Sequence, residues 1–387
     1  RGILVDRQIL SRLSGDFAQT LARLEDEIHE MAGEKFSLGS PKQIGDILFG
    51  KMGLPGAKKT PSGQWATPAT LLDELAQAGH ELPAKILEWR QLSKLKSTYT
   101  DTLQEHMHPE TKRVHTSFSL ASTTTGRLSS SDPNLQNIPI RTEIGRPVRA
   151  CFVAEEGNRL LSCDYSQVEL RVLAHVADEK VLKDVLHEGE DVHAATAAEV
   201  FEIERDEVDV GQRSKAKMVN FGIVYGLTGF GLSDRLNIPR KEGEEFVSRY
   251  LERFPAVRAF REEVIERAQE EGYVTTLMGR RRPIPELRSG NPNTRRLGER
   301  LAVNTVIQGT AADIIKVAMV RCFRALREKD WETRLVLQIH DELLFEGPPE
   351  EMEAAAELVQ REMCAAYPLD PPLEVDVGIG SDWLEAK

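Results

Sequence analysis

The chain has 387 residues, more than a typical single domain of roughly 100–200, and is 40% apolar and 29% charged, which excludes disorder as the default state and predicts two or three subdomains. A net charge of −12 weighs at first against a nucleic-acid partner, whose phosphates need Lys and Arg. The first residue is Arg rather than Met, and neither a secretory signal nor a long unbroken apolar run occurs; the expectation is a piece of a longer intracellular polypeptide, cytoplasmic and not inserted in a membrane.

In chain order, residues 9–32 have helical periodicity with abundant charge. Ser40 can cap a second helix, with Pro41 at its first position and Gln43 completing a capping box. A loop rich in Gly, Pro, Lys and Thr spans 53–67, and 68–97 reads as further helices, so the first hundred residues form a mainly helical unit. From 108 to 152 the pattern turns to short extended segments, with a turn at Asp132-Pro133-Asn134. Residues 160–164 are strand-like and enter a helix near Glu169. Asp191 can cap a helix from about His193, another helix starts near Val210, and helices continue through Gln269. A hairpin is predicted over 273–285 and a long helix over 297–327. Two strands about a tight turn at His340-Asp341 span 334–346, and a terminal helix and a last strand over 373–377 follow. The class is α+β, with a sheet formed from two distant segments, a large helical insertion between them and a helical arm in front. Cys151, Cys163, Cys322 and Cys364 lack the close pairing of zinc sites or a disulfide framework and read as reduced, mostly buried thiols.

Local charge departs from the total. Residues 90–149 carry nine Lys or Arg against five Asp or Glu, and residues 279–300 carry seven arginines against Glu286 and Glu299. One basic run alone is a solvated face; two of them beside paired carboxylates favour nucleic acid. Those carboxylates are Asp164 and Asp341, each at the end of an apolar run. Alone, an acid at a strand end is a turn or cap residue. Joined on adjacent strands, the two meet the demand for divalent cations roughly 3.5–4 Å apart that joining a nucleoside triphosphate to a hydroxyl makes, because Mg²⁺ takes oxygen ligands and only one or two carboxylates. Between them Arg213, Lys217, Phe221 and Tyr225 recur every fourth residue, offering two cations and then two rings on one helix face. By themselves the cations read as a solvated face and the rings as core aromatics.

Asp164-Tyr165-Ser166-Gln167-Val168-Glu169-Leu170-Arg171, then Arg213, Lys217, Asn220-Phe221-Gly222 and Tyr225-Gly226, then Gln338-Ile339-His340-Asp341-Glu342, resemble in order the three polymerase motifs of family A DNA polymerases of the bacterial type. Thr125-Gly126-Arg127-Leu128-Ser129-Ser130, Asp132-Pro133-Asn134-Leu135-Gln136-Asn137-Ile138-Pro139 and Gln308-Gly309-Thr310-Ala311-Ala312-Asp313 resemble further signatures. The resemblance covers essentially the whole chain. Val168 stands where Ile is commoner, and Ser214 where many relatives carry a second basic residue.

The resemblance implies a right-hand polymerase fold: residues 1–107 mainly a helical thumb, 108–175 the first part of a palm with an antiparallel sheet, 176–309 helical fingers, and 310–387 the second part of the palm. It implies a monomeric, template-directed DNA polymerase that adds dNMP from dNTP to a primer 3′-OH and releases pyrophosphate. Two Mg²⁺ ions, replaceable by Mn²⁺, would serve it, primer-template DNA and dNTP would be its partners, and gap filling in repair or replication its work. Asp164 and Asp341 would hold the metal, with the Tyr165 backbone carbonyl assisting and Glu342 secondary. Arg213 and Lys217 would grip the triphosphate, with His193 adding a phosphate contact. Phe221 and Tyr225 would stack at the nucleotide and templating positions, and Gln167 belongs to the same substrate set. Glu169 would close the space of a 2′-hydroxyl, and Phe221 would disfavour nucleotides lacking the 3′-hydroxyl. Arg127, Asn304 and Gln308 would sense the minor groove, whose acceptors are alike in every correct pair. His340 would lie near the primer end, and Lys94, Lys96, Asn134, Gln136 and Asn137 would hold duplex or template backbone. Arg280, Arg281 and Arg282 either join them or form a solvated hairpin. The rivals are a single-subunit RNA polymerase, disfavoured by Glu169; a two-metal nuclease, with no use for the Arg213-to-Tyr225 helix; and an inactive primer-template-binding relic, which should have lost Asp164, Asp341 or Lys217.

Overall fold

The computed structural model describes residues 1–138, 144–224, 226, 229–236 and 238–387, in two compact units. The first unit comprises Arg1–Ser117, Ser131–Glu156 and Gly380–Glu385. Its longest element is the helix α1, Arg7–Ala32. The Asp6 carboxylate starts it by accepting the Gln8 and Ile9 N–H groups at 2.8 and 3.0 Å, as an N-cap should. Leu10, Phe17, Leu24 and Ile28 form its buried stripe. At the next helix, α2 (Pro41–Gly45), Ser40 caps the Gln43 N–H at 3.4 Å, but only half of the predicted capping box forms. The Ser40 N–H already donates to the Ser37 carbonyl, so the Gln43 side chain turns instead to the Ser37 N–H at 2.7 Å. Helices α3 (Ala69–Gln77) and α4 (Glu81–Leu95) follow where predicted. A small sheet sets β1 (Ile3–Val5) antiparallel between β2 (Arg113–Val114) and β3 (Phe152–Val153).

The second unit comprises Phe118–Ser130, Gly157–Ile379 and Ala386–Lys387. Its sheet is built from β4 (Arg159–Tyr165), β5 (Arg334–Ile339), β6 (Glu342–Gly347) and β7 (Val375–Gly380) in the order β7-β4-β6-β5, with β6 antiparallel to both neighbours. Every residue of β6 is buried, the pattern of a strand covered on both faces. Between β4 and β5 runs the helical insertion, including α5 (Val168–Ala177), α6 (Lys180–His187), α7 (Val192–Phe201) and α8 (Val210–Val224). The hairpin pairs Tyr273–Thr275 with Arg281–Pro283. The long helix, Pro292–Glu328, starts earlier than predicted because Asn291 caps it and Pro292 occupies its first position.

All four cysteines are free, three of them buried, and burial raises the Cys151 and Cys322 thiols to about 12. No described helix is long and apolar enough to cross a membrane.

Candidate active site

Strand pairing brings the distant acids together. Glu342 stands opposite Asp164 in the β4–β6 register. The turn from β5 to β6 has only His340 and Asp341, with His340 in the left-handed region at φ 51°. The Asp341 carbonyl accepts the Tyr165 N–H at 3.1 Å, so the turn is stitched to the end of β4. Tyr165 anchors that end from inside, its hydroxyl donating to the Met363 carbonyl at 2.7 Å. Burial raises the Asp164 carboxyl above its ordinary value, Lys387 pulls it back, and Glu342 and Asp341 push it further up. Asp341 is likewise raised by burial, against the positive charge of Arg127, His340 and Lys387. Half-buried, mutually repelling carboxylates are stabilised by a cation.

A divalent metal fits this donor set. Among the described residues no three His, Cys, Asp or Glu side chains form a closed cage. Two aspartates with open positions suit a hard cation that completes its shell with phosphate and water. Glu342 is the less available ligand: it is 3% exposed, one oxygen accepts the Ser162 hydroxyl at 2.6 Å and the other the Lys387 ammonium at 2.7 Å. That ammonium also reaches Asp164 at 2.8 Å, and it marks the ground between the carboxylates as a place where positive charge rests.

Helix α8 carries the basic stripe. Arg213 Nε donates to Asp191 at 2.6 Å, and the same Asp191 caps α7 through the His193 and Ala194 N–H groups. His193 is 5% exposed, and burial lowers it to about 4, with Asp191 opposing and Lys217 and Arg213 assisting. It is therefore neutral at pH 7. Asn220 Nδ2 lies 3.1 Å from its Nδ1; the amide donates, which leaves the ring proton on Nε2. Lys217 is exposed. Phe221 lies within α8, but its side chain, like the whole of Tyr225, lies outside the described residues.

Beside the acids, Glu169 is 5% exposed and pairs with Arg127 at 2.5 Å. Gln167 adopts a left-handed conformation, φ 53°. Among the described residues its Oε1 is buried without a hydrogen-bond partner, and so is Oδ1 of Asn304. A buried acceptor of this kind calls for a partner from outside the described side chains. Gln308, 9% exposed, follows Asn304 by one turn of the long helix. His340 is exposed. The Arg127 loop and the hairpin whose Arg280 lies beside Gly126 are held by Lys316, which no motif contains, and by Asp313, the last residue of the Gln308-to-Asp313 signature. Lys316 donates to the Gly126 carbonyl, and Asp313 accepts from Arg280 and from the Thr276 hydroxyl, both at 2.8 Å. The other hairpin cations also have internal partners: Arg282 donates to Thr305 at 2.8 Å, and Arg281 lies 4.8 Å over the Tyr273 ring.

In the first unit, Lys94, Thr98, Tyr99, Asn134 and Asn137 line an open groove of about 790 Å³. Tyr99 donates to the Asn137 carbonyl, and Asn134 Oδ1 accepts the Gln136 N–H at 3.0 Å. Lys94 is exposed, whereas Lys96 is committed to both oxygens of Asp101 at 2.9 and 2.8 Å.

The family model described as DNA polymerase family A matches residues 7–385. The chain belongs to DNA polymerase family A. It is 53% identical to DNA polymerase I of Rhizobium leguminosarum, over 100% of this chain and 39% of that protein. It is 48% identical to the thermostable DNA polymerase I of Thermus aquaticus, over 100% of this chain and 46% of that one. The chain thus spans under half the length of these curated relatives. Among solved structures, the POL domain of Pol1 from M. smegmatis, a complex with DNA primer-template and dNTP, matches with a TM-score of 0.95 at 41% identity, covering 100% of this chain and 68% of that one. The α+β polymerase fold expected of a family A member is borne out.

Proposed function

We propose that this family A chain is a template-directed DNA polymerase that adds dNMP from dNTP to a primer 3′-OH and releases pyrophosphate. The reading rests most on one relationship, the β4–β6 register and two-residue turn that set Asp341 and Asp164 at one end of the two central strands. The Pol1 complex with primer-template and dNTP supports the choice of substrates. Asp164 and Asp341 would hold two Mg²⁺, replaceable by Mn²⁺, which when bound activate the attacking oxygen and hold the leaving phosphates; Glu342 and the Tyr165 carbonyl would be secondary.

Arg213, Lys217 and neutral His193 receive the triphosphate, the cations meeting its charge and the imidazole donating one hydrogen bond. Phe221 and Tyr225 stack at the nascent pair. Glu169 fills the space a 2′-hydroxyl would need, and Gln167 offers its unpartnered carbonyl to the same substrate. Arg127, Asn304 and Gln308 follow the minor groove, with His340 at the primer end. Lys94, Lys96, Asn134, Gln136 and Asn137 hold nucleic-acid backbone, Lys94 being the better placed of the two lysines. Thumb (1–107), palm (108–175 and 310–387) and fingers (176–309) are the corresponding division. The chain works as a monomer in the bacterial cytoplasm, filling gaps in repair or replication.

Extension of a 5′-labelled primer on a DNA template with Mg²⁺, given dNTPs or rNTPs separately, tests this. Extension with dNTPs alone is expected. Equal extension with rNTPs would overturn the role of Glu169, and primer shortening would point to a nuclease.

A further inference from the structure

Lys387 lies outside every motif, yet its ammonium donates to Asp164 at 2.8 Å and to Glu342 at 2.7 Å. Its side chain is only 25% exposed. Ala386 before it is fully buried. It runs so close over β7 that a Cβ on Gly378 would stand 2.3 Å from the Ala386 carbonyl oxygen. The glycine is what lets this segment lie flat, and the segment is what delivers the lysine. The carboxylate it meets on the inner side, Glu342, is among the most buried acids of the chain, where an uncompensated charge is strongly disfavoured.

We propose that Lys387 is a tethered counter-ion of the metal centre, a positioning residue that holds Asp164 and Glu342 in place when no divalent cation is bound and competes with that cation for Asp164. This rests on Asp164 being a metal ligand. A cation supplied by the chain stabilises the empty site and weakens metal binding by the same interaction, because the metal must displace it. Glu342 keeps the lysine close when Asp164 lets go.

The test is Mn²⁺ affinity, read from the electron paramagnetic resonance of free Mn²⁺, together with the melting temperature in EDTA. Both are measured for the unsubstituted chain and for Lys387→Gln, Gly378→Ala and Asp164→Asn. Lys387→Gln should bind Mn²⁺ on the order of tenfold tighter, the value of one charge-assisted hydrogen bond. It should also melt lower in EDTA and gain more from added Mn²⁺ than the unsubstituted chain. Gly378→Ala, which shifts the lysine without removing its charge, should move affinity in the same direction. Unchanged or weaker Mn²⁺ binding by Lys387→Gln overturns the counter-ion role while leaving the metal site standing. Undiminished Mn²⁺ binding by Asp164→Asn overturns the metal site itself, and the counter-ion with it.

Discussion

The Arg127 guanidinium donates to the Glu169 carboxylate at 2.5 Å, so the residue assigned to the minor groove and the residue assigned to the sugar are two ends of one ion pair. Glu169 is nearly buried and Arg127 is 28% exposed on its side chain. Glu169→Ala should raise ribonucleotide incorporation on the order of a hundredfold and cost about 1–3 kcal/mol of stability, because it strands Arg127. Arg127→Ala should cost a similar amount, and the double substitution less than the sum of the two. Single-nucleotide incorporation with CTP and dCTP, with thermal unfolding of all three variants, checks this.

Acidification should destabilise the chain through His193. Its folded value of about 4 lies below the ordinary 6.5, so the unfolded chain takes up the proton first. Stability from this group is full above pH 6.5 and is lost as pH falls towards 4. Between pH 7.5 and 5 the loss should be about 2 kcal/mol, and His193→Gln should remove most of it. Urea unfolding at the two pH values is the measurement.

Lys94 and Lys96 should separate by salt. Lys94→Ala should lower the magnitude of the log-log salt slope of primer-template binding by about 0.9, one phosphate contact. Lys96→Ala should lower it by clearly less, because its ammonium is shared with Asp101. Fluorescence anisotropy across a salt series distinguishes the two.

The loop that carries Arg127 should depend on Asp313. Asp313→Ala releases both Arg280 and Thr276 and should cost about 1–3 kcal/mol. Gly126→Ala should act in the same direction: Gly126 sits at φ +80°, and an added Cβ would meet Arg280 at 2.8 Å. Thermal unfolding reads both.

The acids at strand ends, the Asp191 cap and the two-residue turn were legible because each is a local signal: an apolar run that stops, an oxygen before a helix, a gap of two residues between strands. The long helix begins at Pro292 rather than Leu297 because Asn291-Pro292, itself a local cap-and-proline signal, starts it. Lys387 and Lys316 were not legible, and Asp313 stood in a signature without a role. Lys387 carries no motif and reaches Asp164 only because β7 lies beside β4 and Gly378 lets Ala386 approach. Lys316 sits on a long helix where any lysine reads as solvated. The arginines of the hairpin leave two readings open in the sequence, a phosphate patch or a solvated face, because sequence counts charges without their partners. Asp313, Thr305 and the Tyr273 ring are brought to them only by the fold.

The most direct test is the single-turnover rate of dNMP addition, by quenched flow at saturating dNTP and Mg²⁺, for the unsubstituted chain, Asp164→Asn and Asp341→Asn, with primer-template affinity measured alongside. The rate of each variant should fall by about 10³-fold or more, with affinity for primer-template within about twofold and no loss of thermal stability, since each substitution removes a charge that burial disfavours. Extension by either variant within about tenfold of the unsubstituted rate would contradict the metal-holding role of Asp164 and Asp341.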